Sequence, residues 1–410
     1  MSFLKNTLLS AAAVATVVAA MPSSSLAAGF QLGEQSVTGL GRAFAGGGVV
    51  GDDLSAIAYN PAGLTLAKGL QMQAGFIGVH INSKLHGTYT PIYPSGPSES
   101  GSTEIKDTIP VPSFYVSYQY NNNLTVGLGA FASYGFDIEY DPNWFGRAQA
   151  VDSNLKAMVI NPTVAYKIND KWSIGAGFVA QRLTAKLTAS GSKMKADDWA
   201  YGYDIGIMYE PFKDTRFGLS YRSQVSHELD GELYYPAKFG VGADLDLPAF
   251  ATLGAYHKLN DWLGLSGTVR WTNWSTFKTL EIKDYTGSTI SYVPEKWKDT
   301  WYFALGADFY INDKWTARAG WAYDSNPIRG AEYRTSRIPD TYRYIVSLGL
   351  SYKWNEHLTF DAGYMHVFFD NTHIDNNGLY PVASHPVKDN LKAVYKSSLD
   401  LIGLQVQYKF

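Results

Sequence analysis

The sequence predicts an all-β fold, a 14-stranded antiparallel transmembrane β-barrel with a small N-terminal helical plug, or hatch, in its lumen. Polar and apolar residues alternate with a period of two over most of residues 69–410, as in a wall between lipid and a polar lumen. Short polar turns alternate with long connections, which is typical of bacterial outer-membrane barrels. Aromatic residues make up 15% of the chain while its mean hydropathy stays near neutral, a composition that also fits a soluble secreted β-protein.

Residues 1–27 have the pattern of a secretory signal peptide. Lys5 precedes an apolar run, from Leu8 to Met21, that is shorter than the roughly 20 residues a membrane-spanning helix needs. The small residues before Ala28 would be the cleavage site. Residues 28–410 then carry 33 Lys and Arg against 37 Asp and Glu, a net charge of −4, so no nucleic-acid partner is expected.

The chain offers no candidate catalytic residue, metal site or cofactor site. It has no cysteine, which excludes disulfides and cysteine-based zinc sites, and its eight histidines show no spacing typical of metal ligands. Gly46-Gly47-Gly48 lacks the Gly-Lys-Ser/Thr of a phosphate-binding loop and indicates a tightly folded segment instead. Ser384-His385 is interpreted as a loop pair, and no enzyme is predicted.

Residues 28–68 are expected to form the plug and residues 69–410 the barrel. The plug would begin the mature chain, and a free end can enter a lumen. Its glycines permit tight folding. Asp53 is expected to cap a short helix that starts at Leu54 and ends before Asn60-Pro61.

Six short turns and seven long connections divide residues 69–410 into fourteen strands. The short turns are Asn121–Asn123, Asn169–Lys171, Pro211–Asp214, Asn260–Asp261, Asn312–Lys314 and Asn355–Glu356. The long connections are 85–110, 141–154, 189–198, 232–246, 283–298, 326–340 and 375–396. The expected strands are 69–84, 111–120, 124–140, 155–168, 172–188, 199–210, 215–231, 247–259, 262–282, 299–311, 315–325, 341–354, 357–374 and 397–410.

The two faces of the strands follow from this alternation. The last strand places Ile402, Leu404, Val406, Tyr408 and Phe410 on one face, which we assign to lipid. The same parity turns charged residues into the lumen, where burial of both signs is less costly than in hydrocarbon. These are Asp204, Glu210, Arg216, Arg222, Arg270, Asp308, Arg318, Arg343 and Asp361. Tryptophans beside the short turns would form an interfacial girdle, namely Trp172, Trp262, Trp315 and Trp354.

Several stretches resemble the FadL family of bacterial outer-membrane transporters of long-chain fatty acids. In the plug, they are Ala28-Gly29-Phe30-Gln31-Leu32, Gly39-Leu40-Gly41-Arg42-Ala43-Phe44 and Asn60-Pro61-Ala62. In the barrel, they are Tyr134–Tyr140, Tyr221–Ser223, Trp271–Ser275, Ser336–Asp340 and Tyr364–His366. A strand that ends in Phe410 also resembles the signal read by the outer-membrane assembly machinery.

The resemblance implies passive uptake of hydrophobic compounds, with long-chain fatty acids favoured. It places Phe30 and Leu32 near the ligand, and Lys186 and Lys298 near its head group. The hatch residues would be Gly39, Gly41, Arg42, Asn60, Pro61 and Ala62. A kinked third strand would open the wall sideways at Ala132, Ser133, Tyr134 and Gly135.

Two matters stay open in the sequence. Thr188-Ala189 stands where the family would place a further basic residue, so uncharged or aromatic hydrocarbons are an alternative substrate class. A general porin or adhesion barrel is a second alternative. The expected partners are a hydrophobic small molecule, outer-membrane lipid and the assembly machinery, with the protein acting as a monomer.

Overall fold

The computed structural model describes residues 29–93, 95–382 and 385–410. The expected signal peptide, Ala28 and Ser384 lie outside this part of the chain. None of the described helices combines the length and hydrophobicity of a membrane span.

Fourteen antiparallel strands form a closed barrel, as predicted. Five of the fourteen are interrupted, so the wall contains 19 segments. The uninterrupted strands are β1 (Leu70–Tyr93), β2 (Glu99–Gln119), β3 (Leu124–Glu139), β4 (Asp152–Lys167), β5 (Trp172–Ala189), β6 (Ser192–Phe212), β15 (Trp315–Asp324), β16 (Arg343–Lys353) and β19 (His385–Lys409). The interrupted strands are β7 (Thr215–Arg222) with β8 (Val225–Tyr234), β9 (Lys238–Leu247) with β10 (Phe250–Lys258), β11 (Leu263–Thr272) with β12 (Thr279–Asp284), β13 (Thr289–Pro294) with β14 (Thr300–Tyr310), and β17 (Leu358–Phe369) with β18 (Thr372–Val382). The first and last strands close the barrel, with Gln71 opposite Lys409.

The six short turns lie where the sequence analysis placed them, and five of them share one hydrogen-bond pattern. In each of the five, the side-chain oxygen of an asparagine accepts the backbone N–H groups of the residues two and three positions later. At Asn121 both distances are 2.8 Å, and at Asn312 both are 2.9 Å. Such a bond substitutes for a backbone turn, which explains the repeated asparagine.

The predicted faces are confirmed. Ile402 and Leu404 are each 63% exposed on the outside of the barrel, whereas Asp204, Asp308 and Arg343 are buried inside it. The four girdle tryptophans are exposed beside the short turns. Barrel closure pairs the first strand with the last, so neither leaves an open edge in lipid.

The long connections contain far more strand than expected. The predicted connection 85–110 is mostly paired backbone, since β1 and β2 stay in register from Leu70 opposite Tyr118 to Tyr89 opposite Glu99. Within the predicted connection 189–198, only Ser190-Gly191 forms a turn, and the other residues belong to β5 and β6. Beyond the apolar band these strands still alternate, but in the opposite sense. Leu85, Tyr89 and Ile105 are buried inside the barrel, while Lys84, His86 and Lys106 are exposed on its outer face.

Three predicted strands contain breaks that the sequence did not reveal. The expected strand 215–231 is interrupted between β7 and β8, the expected strand 262–282 between β11 and β12, and the expected strand 357–374 between β17 and β18. The second break is a short 3₁₀ turn at Trp274–Thr276 that points Trp274 into the interior, where it is fully buried.

Residues 29–68, the plug segment, lie in the lumen. They contain α1 (Val37–Leu40), α2 (Ala56–Tyr59) and a 3₁₀ helix at Pro61–Leu66. The helix expected from Leu54 therefore starts two residues later, with Ser55 as its N-cap. Asp53 instead links the two helices, because it accepts bonds from Ser55 N at 3.1 Å and from Thr38 Oγ1 at 2.6 Å.

Candidate functional site

Phe30 of the plug segment occupies the centre of an aromatic cluster formed where strands are interrupted. Phe30 is 1% exposed. Trp274 comes from the break between β11 and β12, and Trp297 from the break between β13 and β14. The ring centroids nearest to that of Phe30 are those of Trp274 at 4.8 Å, Phe136 at 5.7 Å, Phe277 and Trp297 at 5.8 Å, and Tyr134 at 6.1 Å. The breaks thus turn aromatic rings inward around the start of the plug segment.

The same stretch of the plug segment pairs with β3. Gly135 N donates to Phe30 O at 2.8 Å, and Leu32 N donates to Ser133 O at 2.8 Å. The pairing spans an irregularity of β3 between Ala132 and Tyr134, where Ser133 is the extra residue in the ladder to β4. All four residues predicted at a lateral opening therefore lie at a bulge that the N-terminal residues cover.

Next to this bulge, β2 and β3 part. They are paired from Gln119 opposite Thr125 up to Ser113 opposite Phe131. Beyond that point β2 pairs with β1, and β3 pairs with β4 and, around Tyr134, with Gln31 of the plug segment. The edge of β3 towards β2 is thus covered by the plug segment at the bulge and pairs with no other strand.

Two cavities lie between the outer end and the plug segment. The outer groove, of about 270 Å³, is lined by Leu187, Met194, Leu233, Ile282, Val293 and Arg337 among others. The inner chamber, of about 100 Å³, lies between Gly29 and the wall and is lined by Ile105, Phe136, Ile138, Ile338, Arg343 and Leu399 among others. Arg337 lines both, so the two cavities adjoin. The chamber touches both strands that part, through Ile105 of β2 and Phe136 of β3.

The other residues predicted to bind ligand lie elsewhere. Leu32 belongs to a second apolar cluster and not to that of Phe30. The structure does not bring Lys186 to either cavity: even-numbered residues of β5 face outward, and Lys186 is ion-paired with Asp152. Lys298 lies at the break before β14, with its ammonium 5.9 Å from the ring centroid of Tyr342.

Ion pairs hold the plug segment to the wall. Arg42 Nη1 lies 2.6 Å from Asp52 of the plug segment and 2.9 Å from Asp308 of β14. Arg318 of β15 contacts both carboxylates, at 3.0 and 2.9 Å. Two cations and two anions thus alternate in a buried network in which each charge has a partner.

Barrel glycines let the plug segment approach the wall closely. A Cβ atom on Gly349 would lie 2.8 Å from the Cα of Gly41. A Cβ atom on Gly218 would lie 2.5 Å from Nδ2 of Asn60, whose neighbours Pro61 and Ala62 are also buried. The sequence analysis missed these contacts, although a glycine inside a strand is a signal of close backbone approach.

Most lumen arginines already have partners. Arg222 pairs with Asp204 at 3.3 Å and donates to Ala58 O of the plug segment at 3.2 Å. Arg343 pairs with Asp340 at 2.5 Å. Within the described ranges no three His, Asp or Glu side chains form a group that could hold a metal ion.

Residues 17–410 match the sequence family described as "Outer membrane protein transport protein (OMPP1/FadL/TodX)". The chain belongs to the FadL family. It is 30% identical to the "Long-chain fatty acid transport protein" of Escherichia coli O6:H1, over 88% of this chain and 92% of that protein. It is 29% identical to the "47 kDa outer membrane protein" of Pasteurella multocida, over 97% of both chains.

Solved structures of FadL-family proteins share the fold. The crystal structure of a Pseudomonas aeruginosa FadL homologue superposes with a TM-score of 0.85 at 27% identity, covering 93% of this chain and 100% of that one. The toluene transporter TbuX of Ralstonia pickettii gives a TM-score of 0.63 at 18% identity, covering 90% of this chain and 97% of that one. The protein is accordingly an outer-membrane β-barrel transporter of hydrophobic compounds, in a family of transporters.

Proposed function

We propose that this FadL-family protein carries long-chain fatty acids passively across the outer membrane and releases them sideways through the wall at β3. The proposal is supported by three features that follow one another from the outer end: the outer groove, the inner chamber, and the edge of β3 that pairs with no other strand. Only Phe30 to Leu32 cover that edge. An apolar ligand would collect in the outer groove and move past Arg337 into the chamber. The plug segment, acting as a hatch, would then move aside.

The driving force is transfer between apolar surroundings. Each buried CH₂ contributes about 0.8 kcal/mol in an apolar cavity and about as much in lipid, so no ATP or ion gradient is needed. Phe30 to Leu32 would leave the β3 bulge to let the chain pass. The lumen around the plug segment is filled, which argues against a general porin. The protein would act as a monomer, with the strand that ends in Phe410 recognised by the assembly machinery.

Fatty acids are favoured by the curated relative from Escherichia coli, which is named for their transport. Uncharged hydrocarbons are a second candidate. They are favoured by the lumen ion pairs, since Arg222, Arg318 and Arg343 are already neutralised by carboxylates.

Competitive binding tests the substrate class. A fluorescent long-chain fatty acid bound to the purified protein would be displaced by an unlabelled fatty acid or by its methyl ester. A charge-assisted bond to the carboxylate should make the ester weaker by about 1–3 kcal/mol. Equal affinities would assign the protein to uncharged hydrocarbons, and displacement by neither would remove both proposals.

A further inference from the structure

Arg270 of β11 differs from the other lumen arginines in its surroundings. In the ladder it lies between Thr252 of β10 and Tyr302 of β14. Its guanidinium carbon is 4.9 Å from the ring centroid of Tyr302 and 6.0 Å from that of Phe250. Its Nε is buried and has no hydrogen-bond partner in the described part of the chain. The cation is therefore held by aromatic faces and not by a carboxylate.

Comparable arginines on the same wall are neutralised. Arg216 pairs with Glu210 at 3.3 Å and Arg222 pairs with Asp204 at 3.3 Å. Arg318 pairs with Asp308 at 2.9 Å. Among residues 29–93, 95–382 and 385–410, no ion pair involves Arg270. A partly buried cation without a counter-ion is costly, so an anion that enters here is stabilised by it.

The Arg270 side chain lines a small cavity behind the β3 bulge. The cavity measures about 30 Å³, which is room for about one water molecule. Its lining includes Leu32 of the plug segment, Ser133 of β3, and Arg222. The cavity thus touches the cation, the residue that makes the bulge and the segment that covers it. It has no room for an alkyl chain while Leu32 stays in place.

A candidate counter-ion in the plug segment is Glu34. Its carboxyl group feels the charges of Arg270 and Arg343, but its full burial outweighs them and raises its pKa to about 8. Its Oε2 accepts the backbone N–H of Gly33 at 2.9 Å. At neutral pH Glu34 is then mostly protonated, and it leaves the Arg270 charge uncompensated.

We propose that Arg270 is a transit site for the carboxylate of a fatty acid, reached when Phe30 to Leu32 leave the β3 bulge. This inference rests on the proposed function. The planar guanidinium can bind a carboxylate through two parallel N–H donors, and the rings of Tyr302 and Phe250 exclude water from the pair. The head group would pause beside Ser133 while the alkyl chain follows it to the opening between β2 and β3.

Uptake by cells that express the full-length protein tests the site. The substrates are a labelled long-chain fatty acid and its methyl ester, and the variants are R270M, R270K and R216M. Arg216 is the matched control because it also faces the lumen beside an aromatic ring, 5.4 Å from that of Tyr256, but is ion-paired. Heat-dependent migration on gels verifies that each barrel is folded.

We expect R270M to lower fatty-acid uptake about tenfold or more while leaving ester uptake unchanged, because one charge-assisted contact is lost. R270K should restore part of the uptake, and R216M should keep the wild-type ratio of acid to ester. A wild-type ratio in R270M would overturn the site but leave fatty-acid transport standing, as would an equal loss of acid and ester in R270M. Wild-type protein that takes up no fatty acid would instead remove the proposed function itself, and with it the transit site.

Discussion

The guanidinium of Arg42, on the plug segment, lies 2.9 Å from the carboxylate of Asp308, on the wall of the barrel. Both side chains are almost completely buried, and Asp308 is shared with Arg318. This contact joins the two parts of the protein across a sequence separation of 266 residues.

Replacing Asp308 by alanine should loosen the plug segment. Arg42 and Arg318 would then share only Asp52, and removal of one partner from a buried network costs about 3–5 kcal/mol. Planar-bilayer recordings should show a higher ion conductance than wild type. The control is K84A, which removes an exposed ion pair worth about 0–1 kcal/mol. Equal conductance of D308A and K84A would contradict the role of the network.

Replacing Gly349 by valine should prevent the plug segment from docking while the barrel still forms. A Cβ atom at this position would lie 2.8 Å from the Cα of Gly41, which is too close. Because Gly41 Cα belongs to the backbone, it cannot rotate away as the end of a flexible side chain can. G240V is the matched control, because a Cβ atom at Gly240, also in a strand, meets nothing within 4 Å. Trypsin cleavage within residues 29–68 measures docking. Protection of G349V as complete as that of G240V would refute the close approach.

Deleting Ser133 should abolish uptake without unfolding the barrel. Ala132 pairs with Met158 and Tyr134 with Ala157, so the deletion joins two adjacent ladder positions and straightens β3. S133A keeps the extra residue and should retain most uptake, although it loses the bond from Gln181 Nε2 at 2.7 Å. Uptake by the deletion variant at the wild-type rate would exclude the lateral route.

Replacing Glu34 by glutamine should remove a pH dependence from the stability of the plug segment. The pKa of Glu34 rises from 4.5 to about 8 because of burial, so the folded state holds a proton that the unfolded segment releases. The stabilisation is complete below about pH 4.5 and is lost as the pH rises to about 8, by roughly 5 kcal/mol in total. Denaturant titration of trypsin protection at several pH values measures the loss. E34Q should give a flat profile, and a profile parallel to wild type would show that Glu34 is not the titrating group.

The wall of the barrel was predictable because each strand carries its own signal. The alternation that ends in Leu404, Val406 and Tyr408 places one face in lipid whatever the neighbouring strand contains. The asparagine that begins a short turn, such as Asn121, bonds to backbone two and three residues away. Strand number, face assignment and short-turn positions therefore followed from local patterns.

The site was less predictable because its contacts are long-range. Trp297 lies 267 positions from Phe30 in sequence, yet their rings are 5.8 Å apart. The break that contains Trp274 interrupts residues 262–282, whose pattern predicts one continuous strand. Lys186, chosen for its charge, faces outward because of strand parity, and Arg270 stands out only once the partners of the other arginines are known.

The sequence by itself determined the barrel, its faces and the family resemblance of the plug, because these depend on spacing along the chain. Only the tertiary structure decided which charges neutralise one another, where the strands break inward and where the plug segment meets β3. Closure of the barrel brings Asp308 to Arg42 and Ser133 to Leu32, and the energies of such pairs depend on burial and distance, which spacing does not encode.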